Sequence, residues 1–118
     1  MSKEFIPYEE VLALKELGFD EDCLKEVLYV NDKFGDFYAP LYQQAFRWFR
    51  EECNLLHIIN IDLSDNLKDK VYVYSIEDHL GSIVDRSEEF KTYEEAELAC
   101  LKKLIEIVKN KENENNNQ

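Results

Sequence analysis

Residues 57–77 read HIINIDLSDNLKDKVYVYSIE, and this stretch decides the fold of the chain. Its two ends, 57–63 and 71–77, are rich in β-branched and aromatic residues, which favours β-strands. The polar residues between them are typical of a hairpin loop. A third run of this kind, 82–86, follows at once, so the pattern predicts an antiparallel meander.

A helix is predicted on each side of this meander. Before it, Pro40 opens a run to about residue 54 in which apolar residues cover more than one helical face. After it, Thr92 and Glu95 form a capping-box pattern that starts a helix to about Lys109. This second helix is apolar on most sides, so we expect it to lie across the sheet.

The first forty residues predict a helix and then an ambiguous segment. Residues 5–18 indicate a short helix that ends at Gly18. Over 23–38, turn chemistry around Gly35 favours a β-hairpin, whereas the Leu-Lys-Glu sequence at 24–26 favours a helix. We favour the hairpin.

Together these elements predict a single α+β domain over residues 1–109. An antiparallel sheet of three to five strands would be packed by two main helices, at about 40–54 and 92–109, and by the short N-terminal helix. Residues 110–118 contain no apolar side chain and cannot offset their own ordering entropy. We expect them to form a polar, disordered tail.

The composition restricts the class of function. The 118 residues include 26 acidic and 14 basic side chains, for a net charge of -12. Nucleic-acid affinity comes mainly from Lys and Arg that displace counterions from phosphate, so direct nucleic-acid binding is not expected. No apolar stretch has the length of a signal peptide or a membrane span, which favours the cytoplasm and no membrane contact. Cys23, Cys53 and Cys100 are odd in number and far apart, which indicates buried free thiols.

One short pattern has the order of a nuclease site. Asp78 (or Asp62), Glu89 and Lys91 follow the order of a metal-dependent nuclease, in which two carboxylates hold the metal and the Lys lies near the attacking water. Such short matches arise by chance in a chain with 34% charged residues, so solvated charges are the favoured interpretation. We predict no catalytic residue and no enzyme activity.

Metal and cofactor sites are not expected either. His57 and His79 lack zinc-ligand spacing to each other or to any Cys. Residues 62–69 lack the alternate oxygen ligands and the central Gly of a calcium loop. The glycines are isolated, which excludes the common glycine-rich nucleotide loops.

Two surfaces are candidates for binding a protein, and the first is aromatic. Arg and Trp are enriched at the centres of interfaces, and a helix would bring Arg47 and Arg50 together beside Trp48. Tyr93 belongs to the same candidate surface. The alternative is that Trp48 packs beneath the N-terminal helix while the two Arg side chains form ion pairs with nearby acids.

The second candidate surface is acidic. Rows of carboxylates can occupy the basic groove of a nucleic-acid-binding protein, so one hypothesis is an acidic mimic of nucleic acid that inhibits a basic host protein. The alternative is that the charge serves solubility. The candidate residues are Asp20, Glu21, Asp22, Asp62, Asp65, Asp69 and Glu94.

Three segments resemble small uncharacterised proteins of phages and prophages from gut bacteria. They are FIPYEEVLALKELGFDE (5–21), QQAFRWFREECNL (43–55) and FKTYEEAELACLKKLIEIVKNK (90–111). The resemblance implies a mobile-element origin and no known activity. We therefore expect an accessory protein that binds another protein or a second copy of itself, without catalysis.

The order helix, three strands, helix also looks like the double-stranded-RNA-binding fold, with residues 92–103 in the place of its final helix. That family holds phosphate with Lys residues at the start of this helix, where the chain has Tyr93, Glu94 and Glu95. The likeness implies a shared architecture without the RNA-binding function.

Overall fold

The structure is a computed structural model that describes residues 6–19, 24–30, 33–39, 41–63 and 68–116. In chain order the elements are α1 (Tyr8–Glu16), β1 (Leu24–Val30), β2 (Lys33–Ala39), α2 (Tyr42–Cys53), β3 (Leu56–Leu63), β4 (Lys70–Glu77), β5 (Ile83–Arg86) and α3 (Tyr93–Asn116). The predicted α+β class is confirmed, as is the α-β-β-β-α order of the second half.

The ambiguous segment is a hairpin, as favoured from the sequence. β1 and β2 pair antiparallel, from Leu24 opposite Ala39 to Val30 opposite Lys33. They form a two-stranded sheet of their own, separate from the sheet of β3, β4 and β5. The strand-forming Val and aromatic residues of this segment therefore outweigh the local helix propensity of its first turn.

The three-stranded sheet has the order β3-β4-β5, as the meander predicts. β3 and β4 pair along their full lengths, beginning with Leu56 opposite Glu77. The shorter β5 pairs with β4 through a register shift between Ile76 and Glu77. Beyond β5, an isolated bridge joins Tyr72 to Phe90.

Helices α2 and α3 pack on one face of this sheet. His57 of β3 stacks on Phe46 of α2, with 3.7 Å between the ring centroids. Helix α1 packs at the side of α3, where Lys102 Nζ lies 3.7 Å from the buried carboxylate of Glu10. The most deeply buried core side chains are Ile6, Leu14, Phe49, Leu55, Ile76, Cys100, Leu101 and Leu104.

The end of α2 sets the start of β3. Asn54 adopts the left-handed conformation with φ 57°, which Asn tolerates better than most residues. The next amide, that of Leu55, donates to the carbonyl of Phe49 at 3.1 Å. Leu55 is also buried, which fixes the direction of the backbone at the end of α2. The chain then continues directly into β3.

Helix α3 begins where the sequence predicted and ends later. The Glu95 amide donates to Thr92 Oγ1 at 3.1 Å, which is the first half of the predicted capping box. The helix then continues to Asn116, whereas the sequence predicted its end near Lys109 and a disordered tail from 110. Extension of an existing helix adds one hydrogen bond for each residue fixed, without a new nucleus. Lys111, Glu112 and Glu114 are good helix formers and partly offset the weaker propensity of the four Asn residues in 110–116, which explains the difference. Residues 117–118 lie outside the described residues.

Candidate protein-binding interface

Strand β3 is an outer strand of the three-stranded sheet. It is hydrogen bonded to β4 on one side, and no described strand pairs with its other side. β3 is also long for an edge, because all eight of its residues pair with β4. We call the side of β3 away from β4 the free edge.

The bonds of β4 show which groups of β3 point to the free edge. Tyr72 exchanges both backbone hydrogen bonds with Phe90 at 2.8 Å, so its N–H and C=O face away from β3. Along an antiparallel strand, the N–H and C=O groups of successive residues point to opposite sides. The backbone groups of Val73 therefore point toward β3 and bond its partner Asn60. By the same alternation, the N–H and C=O groups of His57, Ile59 and Ile61 point to the free edge.

A bond at the end of the strand agrees with this assignment. Leu63 belongs to the same alternate set, and its N–H donates to Asp62 Oδ1 at 2.8 Å. A side chain one residue away thus satisfies a donor that the β4 ladder does not use. The N–H groups of His57, Ile59 and Ile61 have no such bond among the described residues.

Apolar side chains flank the free edge on both faces of the sheet. Ile61 and Leu63 project on the face that carries the helices, yet they are 64% and 51% exposed. The helices therefore do not cover this end of the strand. On the opposite face, Leu56 and Ile58 are exposed as well.

Natural sheets protect long edges with Lys, Pro, bulges or short strands. The β5 edge has such protection, because it is four residues long, is irregular in register and carries Asp85 and Arg86. β3 has no Lys and no Pro. The two edges of the same sheet thus differ, and only that of β3 has the features of a strand-binding site.

The free edge is almost uncharged in a strongly acidic chain. Asp62 is the single carboxylate of β3. Burial, with a smaller effect of the nearby Arg50 charge, lowers the pKa of His57 from its usual 6.5 to about 4, so its ring is neutral at pH 7. A partner strand on this edge meets little charge.

A depression of about 410 Å³ lies beside β3 on the face opposite the helices. Its lining includes the outward side chains of Asn60, Val73 and Ser75, with Asp62 and Arg86 also present. It is open to solvent and lined by both polar and apolar side chains, so it extends the edge surface rather than forming an enclosed ligand pocket.

Trp48 does not belong to an exposed aromatic surface, which corrects the candidate surface named from the sequence. Its side chain is only 8% exposed. The ring packs edge-on against Phe19, which follows α1, at 5.8 Å and against Phe49 at 5.0 Å. An apolar ring of this size is more stable inside the core, and packing beside the N-terminal helix was the alternative interpretation.

The other members of that surface are dispersed. Arg47 and Arg50 are exposed on α2, and Arg50 lies 3.8 Å from Glu51. Tyr93 is exposed at the start of α3, where its ring meets Tyr72 edge-on at 6.1 Å. With Trp48 buried, these residues do not make the Trp-Arg patch expected from the sequence.

The acidic candidates fall partly outside the described residues. This applies to 20–22 and to Asp65. Asp62, Asp69 and Glu94 are exposed. Asp62 and Asp69 lie where β3 finishes and β4 begins, and Glu94 is in the first turn of α3, next to Tyr93, whose ring meets Tyr72 of β4. The exposed Lys68 and Lys70 lie in the same region, so the charge there is mixed.

The nuclease pattern is not assembled into a metal site. Asp78 Oδ1 instead accepts the amides of Leu80 and Ser82, at 2.9 and 3.0 Å, within the turn before β5. The Ser82 amide, followed by that of Leu80, lowers the pKa of the Asp78 carboxyl. Glu89 and Lys91 are exposed on either side of Phe90. In the part of the chain that the structure describes, no three His, Cys, Asp or Glu side chains are placed to hold a metal ion.

Of the described cysteines, Cys100 is the buried free thiol that the sequence predicted, whereas Cys53 is free but only partly buried. Cys100 is buried and free, and burial, then the charges of Asp85 and Glu97, raises the pKa of its thiol to about 12. Cys53 is free and half-buried at the rim of a second cavity, of about 480 Å³, between the helices. Cys23 lies outside the described residues.

The free edge itself was missed from the sequence. The sequence pattern predicts a strand that contains Ile58, Ile61 and Leu63 and begins next to Leu56. It does not indicate which strand of the sheet is outermost. One signal was present, since the run HIINIDL has no Lys, no Pro and apolar residues at both odd and even positions.

Comparison with known proteins gives no relative. No family model matches the chain, and neither the curated proteins nor the solved structures contain a match. No described helix has the length and apolar character needed to cross a membrane.

Proposed function

We propose that the protein is a non-enzymatic binding module whose free edge accepts an extended strand of another protein. Binding of another protein is also the role that the resemblance to small phage and prophage proteins favoured in the sequence. The observation that carries the proposal is the alternate set of N–H and C=O groups that no described residue bonds, on a long, apolar-flanked outer strand with a single carboxylate.

The chemistry of the edge restricts the partner strand. Its backbone would bond the N–H and C=O groups of His57, Ile59 and Ile61. Its side chains would alternate between the two faces, and those on both faces would meet apolar residues of β3. The partner segment is therefore an extended strand with apolar side chains on both faces and few charges.

A selection from a displayed peptide library tests this proposal. Peptides selected on the wild-type protein should carry the apolar pattern described above. They should lose at least tenfold in affinity for Ile61→Pro, because proline removes an edge donor and obstructs the approaching strand. Ile61→Val keeps the N–H and an apolar side chain and should bind them normally.

Peptides that bind Ile61→Pro as well as the wild type would overturn edge binding, and so would a failure to select any peptide at a concentration at which the protein is monomeric. Circular dichroism of each variant establishes that it is folded.

The acidic mimic is the alternative function, supported by the exposed Asp62 and Asp69, where β3 finishes and β4 begins, and by the exposed Glu94 in the first turn of α3. It predicts a basic partner that dissociates as salt rises from about 50 mM to 500 mM, since screening shortens the range of charge interactions. Strand addition through β3 predicts affinity that changes little over this range.

A further inference from the structure

We infer that the free edge of β3 takes the β3 strand of a second copy, so that two three-stranded sheets join into one of six strands. This inference rests on the proposed function and names the partner of the same edge. A strand that suits this edge must be apolar on both faces and nearly uncharged. β3 itself meets both requirements.

Symmetry restricts how two β3 strands can meet. A twofold axis normal to the sheet makes the strands antiparallel and keeps the helices of both copies on the same face. Opposed residues must then project on the same face, which requires an axis that passes through a residue position. An axis at Asn60 aligns seven residues, 57–63, of each strand.

This register makes a suitable set of cross-strand pairs. Ile59 of each copy lies opposite Ile61 of the other, and His57 lies opposite Leu63. On the other face, Asn60 meets its own copy and Asp62 meets Ile58. No two carboxylates lie directly opposite each other, and His57 is neutral at pH 7.

The backbone groups fit the same register. Ile59 and Ile61 both direct N–H and C=O to the free edge, so each such pair exchanges two hydrogen bonds. The pairing also covers Ile61 and Leu63, two exposed apolar side chains that the helices leave uncovered.

Electrostatic repulsion between two copies favours contact at β3 over contact at other surfaces. With a net charge of -12, two copies repel each other over most approaches. β3 contributes one carboxylate per copy, and the other two strands are balanced, with Lys70 and Glu77 on β4 and Asp85 and Arg86 on β5. The sheet edge is thus a place where copies can meet with little repulsion.

Sedimentation equilibrium over about 1 µM to 1 mM tests the inference, since a modest interface dissociates in this range. The wild-type chain and Ile61→Val should dimerise. Ile61→Pro should raise the dissociation constant roughly 10- to 100-fold, because two bonds of the symmetric pair are lost. A wild-type chain that stays monomeric to about 1 mM would overturn the second copy as partner, and so would an Ile61→Pro chain that dimerises as well as the wild type.

A cross-link tests the register without depending on proline. Non-hydrogen-bonded residues opposite each other lie about 4.5 Å apart at Cα, within reach of a disulfide. Asn60→Cys should give a disulfide-linked dimer on oxidation, whereas the wild-type chain and Leu80→Cys, in the turn before β5, should give much less. Equal cross-linking of all three would overturn this register.

Strand binding and self-association through β3 can be distinguished experimentally. A monomeric protein that still selects edge-dependent peptides would refute the second copy and leave strand binding intact. A monomeric protein that selects none would refute both.

Discussion

The ring of His57 shows how a single residue supports the position of β3. It stacks on Phe46 at 3.7 Å, and its burial lowers its pKa to about 4. Burial, with a smaller effect of the Arg50 charge, disfavours the protonated ring in the folded protein. The folded protein therefore binds fewer protons at this site than the unfolded chain does between pH 4 and 6.5.

From this difference we predict a loss of stability in mild acid. The free energy of unfolding should fall by on the order of 1 kcal/mol as pH drops from 7 toward 4, a figure discounted for the residual exposure of the ring. Above pH 6.5, the titration of His57 should have little effect on the free energy of unfolding. Urea unfolding of the wild type and of His57→Phe checks this, because the variant should lose that part of the pH dependence. His79→Phe, at an exposed turn, is the control and should retain it.

Thr92 provides a second test at the residue scale. Its hydroxyl accepts the Glu95 amide at the start of α3. Thr92→Ala should cost about 1 kcal/mol of unfolding free energy, whereas Thr92→Ser should cost much less because the acceptor is kept. Equal loss in both variants, measured by urea unfolding, would mean that the cap bond is unimportant.

Several of the secondary-structure elements could be predicted from sequence patterns alone. β3, β4 and β5 were predicted because β-branched and aromatic residues fill runs separated by polar turns. The start of α3 was predicted because Thr92 and Glu95 have the spacing of a cap. Its end was not, since the polar residues after Lys109 resemble a tail, and helix extension depends on the nucleus that precedes it.

Hydrogen-bond alternation along β3 leads to a prediction about proline. Ile61 directs its N–H to the free edge, whereas Asn60 directs its N–H to β4. Ile61→Pro should therefore cost about 1 kcal/mol or less, as proline is tolerated at edges. Asn60→Pro should cost roughly 1–3 kcal/mol more, because a ladder bond is broken. Urea unfolding measures both, and equal costs would mean that the assigned alternation is wrong.

At the scale of the whole molecule, the sequence predicts where the strands lie along the chain better than it predicts which strands are neighbours in a sheet. Nothing in HIINIDL alone states that it lies at the margin of the sheet, because that depends on where the β1–β2 hairpin goes. The hairpin forms a separate sheet, and this leaves β3 outermost. Likewise, the sequence left Trp48 either in an exposed patch or packed beneath the N-terminal helix, and contact with Phe19, a distant residue in the chain, accompanies its burial.

The central claim is that β3 has a free edge that accepts a strand, and amide hydrogen exchange followed by NMR tests it most directly. In dilute solution, the amides of His57, Ile59 and Ile61 should exchange quickly, while those of Ile58, Asn60 and Asp62 should be protected by β4. Protection of the first set should rise as the protein is concentrated or as a selected peptide is added. Uniform protection of all six amides in dilute solution, unchanged by either addition, would contradict the account.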